Sequence, residues 1–286
     1  MNVYPIETGF FKLDGGAMFG VVPKTIWQKT NPADSNNLCT WAMRCLLIEN
    51  GNQLILIDTG IGNKQSEKFF SHYYLHGDDH LDASLKRVGF DRRDITDVFL
   101  THLHFDHCGG AIERDNNGHL IPAFPNAHFW STERHWQWAT HPNPREKASF
   151  LKENISPIQE SGQLKWIERK EDFQWVPELG FSVLFVDGHT ESMMIPHIPY
   201  KDQTLIYMAD LLPSTGHIPL AYVMGYDTRP LITIEEKDKF LNRAVESKSI
   251  LFFEHDAVNM CANLELTERG VRAAQTFSLD EWFGKS

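Results

Sequence analysis

The sequence predicts a mixed α and β fold whose chemistry gathers where strands end, and three observations predict it. Short apolar runs of strand length, bounded by turn residues, recur along the 286 residues. Amphipathic helical stretches lie among these runs. Five of the runs end just before a side chain that is a potential ligand, namely Asp58, His102, His189, Asp210 and His255. Loops at a shared sheet edge carry chemistry over a rigid scaffold in this way.

In chain order, Phe10-Phe11-Lys12-Leu13 suits a strand. Gly15-Gly16-Ala17-Met18-Phe19-Gly20 then suits either a loop that approaches a ligand closely or a hairpin whose Met18 and Phe19 fill the core. Residues 30–40 are rich in turn formers. Apolar runs at 42–48 and 54–57 flank Glu49-Asn50-Gly51-Asn52 and predict a β-hairpin. Asp58-Thr59-Gly60 ends the second run, where an acid either caps the next helix or orients a ligating histidine. Residues 65–75 place Phe69, Phe70, Tyr73 and Tyr74 as an aromatic stripe on a helix, an arrangement that more often belongs to a core. Residues 81–88 form a short amphipathic helix stopped by Gly89, and His72, His76 and His80 before it are read as solvated or capping. A buried strand over 95–100 leads into the main motif.

That motif is His102-Leu103-His104-Phe105-Asp106-His107, followed by Cys108-Gly109-Gly110. Imidazoles with a carboxylate suit zinc and its neighbours, and on an extended chain end His102, His104 and Asp106 face one side. His107 points away or lies where the chain turns into a helix. One such turn serves two metals, His102 and His104 gripping the first, Asp106 and His107 the second. A histidine-rich surface loop is the plain alternative, against which the alternation and the strand-end placement weigh. Cys108 reads as a small packed residue.

Downstream, 127–130 reads as a strand and Ser131-Thr132-Glu133 as a helix start. Trp136, Trp138 and the turn His141-Pro142-Asn143-Pro144 suggest a helical insertion at about 132–160 that roofs a cleft or serves packing alone. Strands follow over 181–186, 193–198 and 204–208, then a helix over 234–245 and a final strand over 250–253. No linker interrupts this series, so residues 1–286 are expected to form a single domain.

Composition narrows the function. A net charge of −11 argues against a surface built for phosphate backbones, so no nucleic-acid partner is expected. Four cysteines without a C-x-x-C pair make no disulfide framework. Without a basic n-region, a long apolar run or a signal-peptide pattern, a cytoplasmic protein with no membrane partner is expected.

Taken in order, Asp58-Thr59-Gly60, His102-x-His104-x-Asp106-His107, Gly188-His189, Asp210 and His255 resemble the five-part pattern of the metallo-β-lactamase superfamily over nearly the whole chain. The resemblance implies an α+β fold, an αββα four-layer sandwich. It also implies two divalent metal ions, zinc before iron, cobalt or manganese. By resemblance His102, His104 and His189 hold the first ion, Asp106, His107 and His255 the second, and Asp210 bridges them. Asp58 orients a ligand without touching a metal. A hydroxide shared by the metals would attack the substrate while Asp106 relays a proton to the departing oxygen.

An aspartate at the bridge and a histidine last resemble the N-acyl homoserine lactone lactonases, which act in quorum quenching, and the related organophosphate and aryl-ester hydrolases. A small-molecule lactone or ester is therefore the expected substrate. Many such lactonases carry a tyrosine three residues past the bridging aspartate. Here that residue is Pro213, which leaves Tyr222, Tyr226 and His217 as candidates for its part. Met18, Phe19, Phe69, Phe70 and Tyr73 are the expected lining of an apolar pocket. A thioesterase of the glyoxalase II type resembles chains with a helical C-terminal domain, for which the roughly thirty residues after His255 are too few. A nuclease conflicts with the acidic balance, and a metal-stabilised binding protein does not need so many donors. The resemblance is also compatible with a homodimer.

Overall fold

The hairpin Leu38–Asn50 and Gln53–Ile57 explains how the sheets begin. β-Branched and leucine residues give Leu46↔Ile57 and Ile48↔Ile55 as cross-strand pairs, and Gly51 at φ 61° makes the tight reversal between Asn50 and Gln53. The computed structural model describes Met1–Gly284 and divides into two units, one of Met1–Gly9 with Met43–Glu171, the other of Phe10–Ala42 with the chain from Asp172 onward.

A six-stranded sheet has the order Asn2–Asp14, Leu38–Asn50, Gln53–Ile57, Asp97–Phe99, His128–Ser131, Leu164–Trp166, its last four strands lying wholly in the first unit. The last four strands run parallel. Parallel neighbours need crossovers, and Leu81–Arg87, Glu133–Thr140 and Lys152–Glu160 are helices within them. Because Ile57 pairs with Phe99, the two strands end side by side and bring Asp58 and Thr101 to one edge. Leu56, Val98, Leu100, Leu103, Phe129, Trp136, Ile155 and Ile158 share the core behind that edge. Each such side chain contributes roughly 1.5–3 kcal/mol on burial, which anchors the polar residues that follow.

In the second unit a seven-stranded sheet runs Gly270–Phe277, Cys261–Thr267, Ile250–Phe252, Gln203–Tyr207, Met193–Tyr200, Phe181–Val186, Phe173–Val176. Gln203–Tyr207 and Ile250–Phe252 are parallel, with Tyr207 opposite Phe252. Asp210 and His255 therefore lie equally far past neighbouring strand ends. His189 sits in the turn between Phe181–Val186 and Met193–Tyr200, which pair from Val186↔Met193 outward. Pro230–Glu246 is the long helix of this unit, with Pro230 in its first turn.

Several expectations change. The Gly15-to-Gly20 stretch is a helical turn, Gly15–Phe19, capped by Asp14 through Ala17 N, rather than a loop. The aromatic stripe does not lie on a long helix: only Glu67–Phe70 is helical, and Tyr74 is exposed. The long helix starts at Pro230 rather than at 234, because proline is at home in a first turn. The strand over 250–252 is not the last, since the hairpin Cys261–Thr267 with Gly270–Phe277 extends the sheet beyond it, and Phe173–Val176 is a further strand. Among the described residues no helix is long and apolar enough to cross a membrane.

Candidate metal centre

In the first unit His102 and His104 lie on extended backbone after Asp97–Phe99, but Asp106 and His107 stand on a helical turn, Phe105–Cys108. The expected one-sided alternation therefore stops at His104, and the turn re-aims the last two donors. All four are buried. Gly109 and Gly110 allow the close approach that this turn requires: a Cβ on Gly109 would fall 2.1 Å from Ile61 O, and one on Gly110 2.2 Å from Thr59 O.

Hydrogen bonds fix which ring nitrogen of His107 and of His102 carries its proton. Asp58, fully buried, accepts from Thr101 N (2.8 Å) and Thr101 Oγ1 (2.6 Å), and lies 3.0 Å from His107 Nδ1. His107 Nδ1 is thus the donor and its Nε2 keeps a lone pair. Since the Thr101 hydroxyl gives its proton to Asp58, its oxygen accepts from His102 Nδ1 at 3.1 Å, which leaves His102 Nε2 bare. His104 places Nε2 at an ion-pair distance of 3.4 Å from Glu146 Oε1. His102 Nε2 and His104 Nδ1 face each other at 3.1 Å. With a lone pair on each, the two nitrogens repel unless a cation lies between them. A tetrahedral zinc with Zn–N of about 2.0–2.1 Å sets its nitrogens about 3.3 Å apart. The pair fits such an ion.

The second unit repeats the device. His189 Nδ1 donates to Asp227 Oδ1 at 2.9 Å, and His255 Nδ1 to Ala42 O at 2.7 Å. Their Nε2 atoms both turn to Asp210, His189 to Oδ2 at 3.0 Å and His255 to Oδ1 at 3.2 Å. Each carboxylate oxygen of Asp210 thus has its own imidazole. Burial pushes the pKa of His189 down, but Asp210 and Asp227 more than offset it and hold it at about 10. An imidazole lifted so far marks a place that draws positive charge. Among the described residues, side chains able to serve as metal donors include His102, His104, Asp106 and His107 in the first unit and His189, Asp210 and His255 in the second.

The remaining predicted residues fall in different surroundings. Phe69, Phe70 and Tyr73 are half-buried, and Phe69 and Tyr73 stand 5.4 and 4.7 Å from Phe105 by ring centroids, beside Asp106 in sequence. Burial, then Asp106, pushes the Tyr73 phenol up to about 12, so it stays protonated. Met18 and Phe19 are buried, and Phe19 stacks between Trp27 (5.4 Å) and His217 (4.3 Å). Both fill the core, as one of the two sequence readings had it, though from a helical turn and not a hairpin. His217 has Ser214 Oγ on Nδ1 (2.8 Å) and Met18 O on Nε2 (2.9 Å), and burial pushes its pKa down to about 3. Both ring nitrogens are committed inside the protein, which removes His217 as the stand-in for the missing tyrosine. Tyr222 is half-buried and Tyr226 is 39% exposed. Asp227, Glu146 and His135, which accepts from Leu103 N at 2.9 Å, were missed. All three lie on segments without strand-end placement, and no sequence signal marks them.

Strand ends that present imidazoles, each with one ring nitrogen held by a neighbouring group, together with buried carboxylates, define a set of metal donors. Residues 44–255 match the model described as the Metallo-beta-lactamase superfamily, and the chain belongs to that superfamily. An N-acyl homoserine lactonase of Bacillus cereus is 25% identical over 240 residues, covering 79% of this chain and 84% of that protein. The N-acyl homoserine lactonase AiiA of Bacillus thuringiensis subsp. kurstaki is 27% identical over the same shares. A probable metal-dependent hydrolase from Staphylococcus aureus superposes with a TM-score of 0.84 at 28% identity, covering 97% of this chain and 98% of that one. AidC, a dizinc quorum-quenching lactonase in complex with a product, gives 0.78 at 21% identity with 96% and 95% covered, and shares the fold. The fold is accordingly the metallo-β-lactamase fold.

Proposed function

We propose that the chain is a binuclear metal-dependent hydrolase of lactones, the N-acyl homoserine lactones first, working as one catalytic domain. The observation that carries the two-ion reading is Asp210, whose oxygens each face a different imidazole Nε2. A carboxylate serving one ion has no need of that division. In this reading His102, His104 and His189 hold one ion, Asp106, His107 and His255 the other, and Asp210 serves both. The donors are nitrogen and oxygen, which zinc accepts as readily as manganese, cobalt or iron, with zinc favoured by the near-tetrahedral spacing at His102 and His104. Divalent ions bound there supply Lewis acidity toward water and the substrate's carbonyl.

The protein's own groups do the rest. Asp58, Thr101, Asp227 and the Ala42 carbonyl hold the ligating rings, so little reorganisation accompanies reaction. Asp106, at 8% exposed, is not wholly enclosed, and it is assigned to carry a proton to the departing oxygen. Phe69, Phe70 and Tyr73 offer a partly exposed apolar wall to an acyl chain. Tyr222 or Tyr226 is assigned to the carbonyl side. The names of the curated relatives support the lactone. Pro213 favours a second reading, an aryl-ester or organophosphate triester hydrolase, because it removes the hydroxyl that lactonases of this type set there.

The test is a panel on the zinc-loaded chain: an N-acyl homoserine lactone, an aryl acetate and an aryl phosphotriester. Lactone turnover exceeding the other two supports the first reading, and phosphotriester or ester turnover in excess supports the second. Absence of all three activities in protein that carries two metals per chain refutes both.

A further inference from the structure

Residues 133–150 grip the His102-to-His104 turn from several directions. His135 Nε2 accepts from Leu103 N at 2.9 Å, Ser149 O accepts from Phe105 N at 3.0 Å, and the Phe150 ring lies 4.7 Å from that of His104. Into this grip the chain sets Glu146, only 3% exposed. Its Oε2 accepts from Trp138 Nε1 at 2.7 Å and Asn143 Nδ2 at 2.6 Å. Its Oε1 stands 3.4 Å from His104 Nε2, an ion-pair rather than a short hydrogen-bond distance. Asn143 is itself fixed, its Oδ1 accepting from Arg145 N and Glu146 N in the turn around Pro144.

We infer that Glu146 is a positioning residue, which holds the His104 proton on Nε2 and so keeps Nδ1 open for a metal. This deepens the proposed function and rests on its assignment of His104 as a ligand. A buried carboxylate is costly to keep, and here two neutral donors on one oxygen and the His104 imidazole at ion-pair distance from the other offset that cost. The segment 133–150 is then more than a cover over the fold. It is a socket for one donor.

The substitution that separates this from plain packing is Glu146→Gln. Trp138 and Asn143 both donate to one corner, so the amide oxygen must sit there and the NH2 group must face His104. That NH2 asks Nε2 to accept and drives the imidazole proton to Nδ1, where the metal belongs. Zinc competition with a chromophoric chelator should show a loss of about 10- to 100-fold in affinity for one of the two ions, the usual effect of removing a ligand's outer partner. Trp138→Phe, which removes one donor but keeps the carboxylate, should lose much less.

A second measurement does not depend on the variant folding. Long-range nitrogen–proton correlation in the zinc-loaded wild-type chain should find the His104 ring proton on Nε2, and a proton on Nδ1 overturns the inference. Unchanged zinc affinity in folded Glu146→Gln protein overturns it as well. Lactone turnover by the wild type beside either result would leave the proposed function standing while this inference falls. A weakened zinc site in a chain that hydrolyses none of the panel would do the reverse.

Discussion

Replacing Asp58 with alanine tests the hydrogen-bond scaffold under the donors. The carboxylate is fully buried and serves Thr101 N, Thr101 Oγ1 and His107 Nδ1 at 2.8, 2.6 and 3.0 Å. Hydrogen bonds to a charged acceptor contribute about 1.5–3 kcal/mol each, and a buried donor left unserved costs about 1–3 kcal/mol. Partial relaxation makes these values less than additive, so a loss of about 3–5 kcal/mol in unfolding free energy is expected. At about 2–4 °C per kcal/mol for a chain of this size, melting should fall by about 6–20 °C in metal-free protein. Zinc affinity should fall about 10- to 100-fold, because His107 and His102 lose the chain of bonds that fixes their tautomers. Asp58→Asn, which keeps the shape, should spare more stability than affinity. Calorimetry and zinc titration read both effects. Asp58→Ala protein that melts within 2 °C of the wild type, to allow about 0.5–1 kcal/mol, and binds zinc as tightly would refute the reasoning.

Two further outcomes are expected. Neutral His217 contributes stability that is fully present above its ordinary value of 6.5 and is lost as pH falls toward about 3. At about 1.4 kcal/mol per pH unit that contribution is at most about 5 kcal/mol, so His217→Gln should flatten the acid limb of a urea-midpoint profile between pH 6.5 and 4 relative to the wild type. A parallel limb would place the acid sensitivity elsewhere. Phe69→Ala should raise KM for a long-chain acyl lactone about three- to tenfold, on the order of 1 kcal/mol, with less change for a short chain. Equal effects on both chains would remove Phe69 from the pocket.

The strand-end placement of His102, His189, Asp210 and His255 was legible because each comes within a few residues of an apolar run, and parallel pairing turns that one-dimensional rule into an edge. Ile57 opposite Phe99 and Tyr207 opposite Phe252 are the registers that do so. The partners of the donors were not legible. Asp227, Glu146 and His135 reach their histidines or the His-bearing backbone through loop and helix geometry, which leaves no period in the sequence. Met18 and Phe19 left two readings open because an apolar doublet between glycines reads alike in a loop and in a core. The aromatic stripe at 65–75 had helical spacing, but past the single turn Glu67–Phe70 its side chains pack as a cluster on Phe105 rather than along a helix face. The terminal hairpin escaped because Cys261–Thr267 has only two buried residues and a bulge near Asn263.

Sulfur takes no part in any of the donor groups named above, and the four thiols are all buried. Burial pushes Cys39 up to about 11 and Cys108 up to about 12, so the thiolate that peroxides attack is scarce at either position. Imidazole and carboxylate have no comparable weakness. Oxidative stress that would silence a cysteine-dependent hydrolase should therefore leave this chain's catalysis running, and chelation should be its vulnerability instead.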